Sequence, residues 1–233
     1  VHNGEIYNYT ELKETLEQLG YQFSTKSDTE VILAAYDHHQ ENCLQFFDGM
    51  FAFAIWDEQE KKLFAARDRF GEKPFYYAFN KKNRQLFFAS ELKALWAAGL
   101  PRSIDENMLL NYLTLGYTTH PTDSGKTFYS GLFKLPAGHY IQFSPYGEKA
   151  DIKVTRYWNL DKGNIIQVGE EEAIGQFNQL FHQSVNRRLR ADVSIGTSLS
   201  GGLDSSSVVA AIHQQLSVND FYQQQTFTAG FPN

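Results

Sequence analysis

Two amphipathic helices are predicted near the start of the chain. Asn8 followed by Glu11 has the spacing of a capping box, and the leucines after them recur at helical intervals until Gly20 ends the pattern. Residues 27–30, Ser-Asp-Thr-Glu, repeat this start signal ahead of a second helix. The apolar positions of that second helix share one face and are Val31, Ile32, Ala35 and Tyr36.

The following residues alternate in a way that predicts antiparallel strands. Between 50 and 57, large side chains at 51, 53 and 55 alternate with smaller ones, which is typical of a strand buried on one face. A polar stretch turns the chain into a second strand, 63–67. The same criteria predict further strands and helices: strands at 75–79, 86–89 and 139–143, and helices at 91–98 and 105–115.

The pattern changes between residues 160 and 170. A Gly-containing connector without a clear period precedes a long helix predicted over 170–189. The elements after it are a strand at 193–199, a Gly-rich turn, a helix at 205–216 and a strand at 226–231. This β-loop-α-β order indicates a parallel sheet. We therefore expect one domain at 1–160, a linker at 161–169 and a second domain over 170–233.

Composition places the chain among ordinary globular proteins. Of its 233 residues 42% are hydrophobic and 15% aromatic, so a sizeable core is available and global disorder is excluded. A net charge of −6 without a long basic run argues against a nucleic-acid binder. The longest apolar run, 50–56, is too short to cross a bilayer, and we expect a cytoplasmic protein. The single cysteine, Cys43, excludes an intrachain disulfide and is expected in the core.

Residues 200–206, Ser-Gly-Gly-Leu-Asp-Ser-Ser, form a candidate phosphate loop between a predicted strand and a predicted helix. Paired glycines allow close backbone approach, the helix start offers N–H groups and the serine hydroxyls add donors. No lysine follows the glycines, so this is not a Walker P-loop. Asp204 would repel a phosphate unless a cation such as Mg²⁺ lies between them. The alternative is a plain turn with Asp204 as a helix cap.

This string resembles the pyrophosphate loop of the ATP pyrophosphatases, which split ATP into AMP and pyrophosphate. The resemblance implies that ATP is a substrate, that Asp204 coordinates Mg²⁺-pyrophosphate, and that backbone at Leu199 and Ala229 brackets the adenine. The residues it places against ATP are Leu199, Ser200, Gly201, Gly202, Leu203, Asp204, Ser205, Ser206 and Ala229.

A second candidate site lies at the start of the chain, in Asn3-Gly4-Glu5. An Asn side-chain amide beside a Gly backbone N–H can supply two donors to one developing oxyanion. The nearby carboxylate of Glu5 could hold a substrate ammonium group. The alternative is a hairpin turn, for which Asn-Gly is the strongest short signal.

Four further segments follow this motif: Ser27-Asp28-Thr29-Glu30, Asp48-Gly49-Met50-Phe51-Ala52-Phe53-Ala54, Arg67 to Tyr77, and Ser90-Glu91-Leu92-Lys93. Together they resemble the glutaminase domain of class II amidotransferases, in the order found in glutamine-dependent asparagine synthetases. The resemblance implies an α+β first domain of the Ntn type, a four-layer sandwich with two antiparallel sheets between helices, and an α/β parallel-sheet nucleotide domain after it.

The same resemblance implies roles for single residues. Asn3 and the Gly4 N–H would form the oxyanion hole, and Glu5 and Asp28 would bind the α-amino group of glutamine. The loop Arg67 to Pro74 resembles one near the ammonia route, where a structural role is an equal alternative. The partners it implies are glutamine, ATP and aspartate, with a homodimer as one option for the assembly.

The chain departs from the family pattern at the nucleophile. The family uses a cysteine exposed as the mature first residue, whereas this chain begins at Val1, and Cys43 does not match that position. We expect both ends to continue into a longer protein, and the stretch alone to be inactive. In the parent, glutamine-derived ammonia would displace AMP from β-aspartyl-AMP to give asparagine. The alternatives are a sibling amidotransferase acting on a sugar acid or forming a lactam, and a non-catalytic protein that only binds glutamine or nucleotide.

Overall fold

The chain divides into two compact units, Val1–Asp161 and Lys162–Asn233. The structure, a computed structural model, describes residues 1–146, 152–191, 193–215 and 224–230. The division lies at the start of the predicted connector 161–169, which contains no helix or strand. The assignment of a function to each segment stays a prediction.

The two predicted helices at the start of the first unit are present. They are α1 (Tyr9–Gln18) and α2 (Asp28–His39). The Ser27 side chain caps α2 by accepting a hydrogen bond from the Thr29 N–H. The capping box at Asn8 was a wrong prediction, because the Asn8 side chain makes no cap hydrogen bond. It bonds instead to Phe46 O and the Asp48 N–H, both at 2.9 Å, and so fixes the turn that enters the next strand.

The remaining elements of the first unit are strands, two short α-helices and a 3₁₀ helix, Gln40–Gln45, that follows α2 directly. In chain order the strands and α-helices are β1 (His2–Ile6), β2 (Gly49–Asp57), β3 (Lys62–Arg67), β4 (Tyr76–Asn80), β5 (Gln85–Ala89), α3 (Leu92–Ala97), α4 (Glu106–Leu115), β6 (Phe133–Lys134), β7 (His139–Phe143) and β8 (Ile152–Arg156). A five-stranded sheet has the order β1-β2-β3-β7-β8 and a three-stranded sheet the order β5-β4-β6. All neighbours in both sheets are antiparallel. The predicted α+β class is confirmed.

Three apolar clusters hold these layers together. One packs α1 and α2 against the larger sheet, the second fills the space between the sheets, and the third packs α3 against the smaller sheet. β2 contributes to two of them, with Phe51 and Phe53 facing the helices and Ala52 and Ala54 facing the other sheet. The expectation that β2 is buried on one face was therefore wrong, because alanines are small enough to let the second sheet cover them.

The second unit contains α5 (Glu170–Arg188), β9 (Gly196–Ser198), α6 (Leu203–Gln215) and β10 (Gln225–Phe227). The pairing of β9 with β10 is parallel, as the sequence predicted. Both strands are shorter than expected, and α6 starts two residues earlier. Residue 216, the predicted helix end, and residue 231, the predicted strand end, lie outside the described residues.

None of the helices in the described ranges combines the length and apolar character that a bilayer crossing requires. The cytoplasmic location stays a prediction from the sequence.

Candidate functional site

The Asn3-Gly4 pair lies inside a strand and not in a hairpin turn. In β1, Asn3 is paired with Ala52 and Gly4 with Phe51 of β2. Gly4 has a φ of +142°, and a Cβ added to it would lie 2.0 Å from Met50 O and 2.7 Å from Phe51 Cα. This position therefore requires glycine both for its backbone conformation and for its approach to β2.

The peptide groups of β1 alternate between two edges. The amino group of Val1 and the N–H of Tyr7 point to β2, where they donate to Ala54 O at 2.9 Å and Asp48 O at 2.8 Å. The N–H of Ile6 points the other way and donates to Asp28 Oδ2 at 2.9 Å. Because the direction alternates from one residue to the next, the N–H of Gly4 points to the outer edge with that of Ile6. β1 is the outer strand of this sheet among the described residues.

The side chain of Asn3 points to the opposite face from α2, toward the smaller sheet. Its Nδ2 donates to Ser90 Oγ at 3.1 Å, which leaves one amide hydrogen of Asn3 for another acceptor. Asn3 and Ser90 line a cavity of about 270 Å³ whose other walls are largely apolar. The remaining lining residues are Val1, His2, Ala52, Phe53, Ala54, Phe75, Phe88 and Ala89.

The first residue of α2 holds the outer edge of β1. Asp28 bonds to the Ile6 N–H, and its Oδ1 lies 3.9 Å from His2 Nδ1. His2 Nδ1 is also 3.1 Å from Thr29 Oγ1, while His2 Nε2 is buried without a hydrogen-bond partner within the described residues. Burial lowers the pKa of His2, the Asp28 carboxylate opposes this, and the positive charge of Lys73 lowers it further.

Glu5 and Cys43 occupy contrasting environments. The Glu5 side chain is exposed on β1, next to Gly4 in sequence. Cys43 is fully buried in the cluster beneath α2, and burial raises the pKa of its thiol to about 12. The expectation of a core cysteine is confirmed, and this thiol has the character of an inert packing residue.

The predicted phosphate loop connects β9 to α6. The Ser200 N–H donates to Ser205 Oγ at 3.2 Å, and the Ser205 hydroxyl donates to Gly202 O at 3.2 Å, so the loop is closed by its own hydroxyls. Gly201 has a φ of +81°, and most of the segment 200–206 is exposed. Leu199 is held to β10 through its N–H, which donates to Phe227 O at 2.9 Å, and through its carbonyl, which accepts from the Thr228 hydroxyl at 2.8 Å.

Asp204 lies in the first turn of α6 and is exposed. It belongs to the helix and not to the loop before it, so the alternative of a capping residue was wrong. The described part of the chain contains no group of three or more His, Cys, Asp or Glu side chains that could hold a metal ion by themselves. A single carboxylate nevertheless fits Mg²⁺, which is usually bound by one or two carboxylates together with water and substrate phosphates.

Residues 1–158 match the family described as glutamine amidotransferase domain. The chain belongs to the glutamine amidotransferase domain family. Residues 176–233 match a second family description, asparagine synthase. The two matches occur in this order and cover almost the whole chain.

Relatives of this amidotransferase domain carry names that combine both matches. The chain is 38% identical to asparagine synthetase [glutamine-hydrolyzing] 1 of Bacillus subtilis, over 99% of this chain and 34% of that protein. It is 36% identical to putative asparagine synthetase [glutamine-hydrolyzing] 2 of Methanocaldococcus jannaschii, over 99% of this chain and 42% of that protein. Amidase chry2 of Gibberella zeae is 33% identical over 91% of this chain. The chain thus spans about a third of the length of the first of these relatives.

A solved glutamine phosphoribosylpyrophosphate amidotransferase of B. subtilis, complexed with ADP and GMP, superposes with a TM-score of 0.47 at 18% identity. It covers 92% of this chain and 43% of its own.

The structure brings together Asn3, Gly4 and Asp28 of the amidotransferase motifs, because β1 is held between β2 and the start of α2. It places Leu199 to Ser206 in one loop and helix start, with Ala229 two residues after β10. Sequence reasoning missed two partners. Ser90 bonds to Asn3, and Asp68 bonds to the backbone of β2 opposite Gly4. Both residues lie in segments that carried the resemblance, but long-range hydrogen bonds leave no local pattern in a sequence.

Proposed function

We propose that the full-length protein containing this chain is a glutamine-hydrolysing asparagine synthetase. The observation that carries the proposal is the order of the two family matches, amidotransferase at 1–158 and asparagine synthase at 176–233. Relatives named for that activity match across both segments at 36–38% identity. In the proposed reaction, glutamine and water give glutamate and ammonia, aspartate and ATP give β-aspartyl-AMP and pyrophosphate, and ammonia then displaces AMP to leave asparagine.

In the glutamine half-reaction, the role of β1 is to stabilise negative charge on the amide oxygen of glutamine. The Gly4 N–H and the second amide hydrogen of Asn3 would donate to that oxygen as it becomes an oxyanion, and donors fixed in advance are worth most at this step. Asp28 and Glu5 would hold the α-amino group of glutamine. Cys43 is not the nucleophile in this proposal, since its thiol is fully buried and has a pKa of about 12.

In the ATP half-reaction, we propose that the loop and helix start over 200–206 bind the phosphates. The serine hydroxyls and the first N–H groups of α6 supply donors to the phosphate oxygens. The backbone of Leu199 and Ala229 would bracket the adenine. Asp204 would hold Mg²⁺, which supplies charge neutralisation between the carboxylate and the pyrophosphate. A homodimer stays a prediction.

The test uses the full-length protein with glutamine labelled by ¹⁵N at the side-chain amide, aspartate and Mg-ATP. The expected result is asparagine labelled at its side-chain amide, with one AMP and one pyrophosphate per asparagine. Glutamine turnover without any amidated product from aspartate would overturn asparagine synthesis while leaving the glutaminase in place. If the protein shows no glutamine turnover and no pyrophosphate release, the result would favour a protein that only binds these ligands.

A second candidate is an amidotransferase that acts on another carboxylate, such as a sugar acid, or that closes a lactam. The relative named amidase chry2 supports keeping it, because that protein matches nearly the same stretch of chain under a different name. The described residues include glutamine and nucleotide candidates but none assigned to the acceptor acid. Replacing aspartate by a panel of carboxylic acids in the same ¹⁵N assay separates the two candidates.

A further inference from the structure

Asp68 is a buried carboxylate that no role proposed so far requires. It follows β3 directly, and its side chain is fully inaccessible to solvent. Burial of a charge is costly unless hydrogen bonds replace the lost water. Four backbone N–H groups donate to its two oxygens, from Phe51 at 3.3 Å, Phe70 at 3.0 Å, Glu72 at 2.9 Å and Lys73 at 3.0 Å.

One of these donors belongs to the strand that carries the oxyanion site. Phe51 is the β2 residue paired with Gly4. The ladder between β2 and β3 ends at the pair Ala52 and Arg67, and Asp68 continues it by donating its own N–H to Phe51 O at 2.8 Å. The N–H and the carbonyl oxygen of Phe51 therefore both form hydrogen bonds with Asp68. Phe51 Cα and Met50 O are the atoms that lie against Gly4.

The other three donors belong to the loop after β3. Arg67 completes this loop by donating to Lys73 O at 2.6 Å, to Leu135 O at 2.7 Å and to Gly71 O. A single carboxylate thus joins the loop to the strand behind Gly4.

We infer that Asp68 is a positioning residue for glutamine hydrolysis, which ties the loop 67–74 to β2 and thereby fixes where β1 presents the Gly4 N–H. This inference rests on the proposed function. The role requires a carboxylate, because four N–H donors converge on its two oxygens and both oxygens can only accept hydrogen bonds. An amide in this position would direct its NH₂ group, itself a donor, toward some of these N–H groups. A shift of β1 by a fraction of an ångström misplaces the oxyanion donor without removing any group that binds glutamine.

The test is Asp68→Asn in the full-length protein, with Glu72→Gln as the matched control. Glu72 is exposed in the same loop, so its substitution makes the same chemical change without affecting the clamp. For Asp68→Asn we expect kcat for glutamine hydrolysis to fall about 10- to 100-fold, with KM for glutamine within about twofold. Asparagine formation from added ammonia should stay unchanged, and Glu72→Gln should match the parent in all three measurements.

Three results would overturn the inference. They are an unchanged kcat, a rise in KM that accounts for the loss, and an equal loss in the ammonia-dependent reaction. If Asp68→Asn does not fold, Asp68→Glu takes its place, because it keeps the buried charge and moves it by one methylene group, and the same split between kcat and KM is expected. If the full-length protein without substitutions does not hydrolyse glutamine, the proposed function is refuted instead. A failure of this inference can therefore be distinguished from a failure of the proposed function.

Discussion

Each of the two units places a glycine at its candidate site, but the surroundings of the two glycines are opposite. Gly4 is enclosed by the backbone of β2, with Met50 O 2.0 Å from where a Cβ would stand. Gly202 has only one atom near its own Cβ position, Ser200 Oγ at 3.6 Å. The first site is built from strand pairing and from the buried carboxylate of Asp68 behind it, and the second from hydroxyls that bond to their own loop. An oxyanion donor must be fixed before the reaction, whereas a loop for a highly charged ligand can gain order from that ligand.

The largest effect is expected from adding one methyl group to each glycine. Gly4→Ala should lower the free energy of unfolding of β1 by about 2–4 kcal/mol, because the φ is strained for alanine and the methyl would overlap backbone atoms of Met50 and Phe51 in β2. Gly202→Ala should change the stability of α6 by less than about 0.5 kcal/mol. Hydrogen exchange measured by mass spectrometry reports the protection of β1 and of α6 in the same protein. Equal protection of β1 with and without the Gly4→Ala substitution would contradict the expected difference between Gly4 and Gly202.

A second prediction replaces one acidic residue in the first turn of each of the helices α2 and α6. Asp28→Asn should raise KM for glutamine about 10- to 100-fold, since a charge-assisted contact to the ammonium is lost, and should leave ammonia-dependent synthesis unchanged. Asp204→Asn should lower kcat/KM for ATP by about 10- to 100-fold and leave glutamine hydrolysis unchanged. Asp37→Asn, on the exposed end of α2, is the control for the first substitution. Loss of both activities in either variant would show that the sites are not separable.

The smallest effect concerns pH and is confined to the first unit. Burial lowers the pKa of folded His2, so the folded protein binds fewer protons than the unfolded chain below a pH of about 6.5. Stability should therefore fall as the pH is lowered from there toward the folded pKa. His2→Gln should flatten this slope.

Urea unfolding between pH 5 and 8 provides the measurement, followed by tryptophan fluorescence. All three tryptophans of the chain, Trp56, Trp96 and Trp158, lie in the first unit. A slope of the same size in His2→Gln and the parent would assign the pH dependence to other groups.

Features set by local sequence could be predicted, and features set by distant partners could not. Elements set by local periodicity were predicted to within a few residues, as for α2 and β3. Errors arose where a partner distant in sequence decides the outcome. Asn8 is a good capping residue locally, yet its side chain forms hydrogen bonds with the carbonyl of Phe46 and the N–H of Asp48 instead.

Asn3-Gly4 is a strong turn signal locally, but pairing with β2 keeps it extended. The alanine face of β2 has the same explanation, since only the arrival of a second sheet buries it. Motifs identified the candidate residues of both sites, because each chemistry demands particular side chains at short spacings. They gave no sign of the Asp68 clamp, whose donors come from two separate segments.

The close approach of β1 and β2 has a consequence for how this protein can vary during evolution. A Cβ on Gly49 would lie 2.2 Å from Glu5 O, just as one on Gly4 would meet Met50 O. Each glycine thus makes room for main chain and not for a side chain of the facing strand. No substitution elsewhere can compensate, since every amino acid has the same carbonyl. Among homologues that keep this strand pair, the two positions should neither drift nor covary, and their invariance would record backbone geometry rather than chemistry.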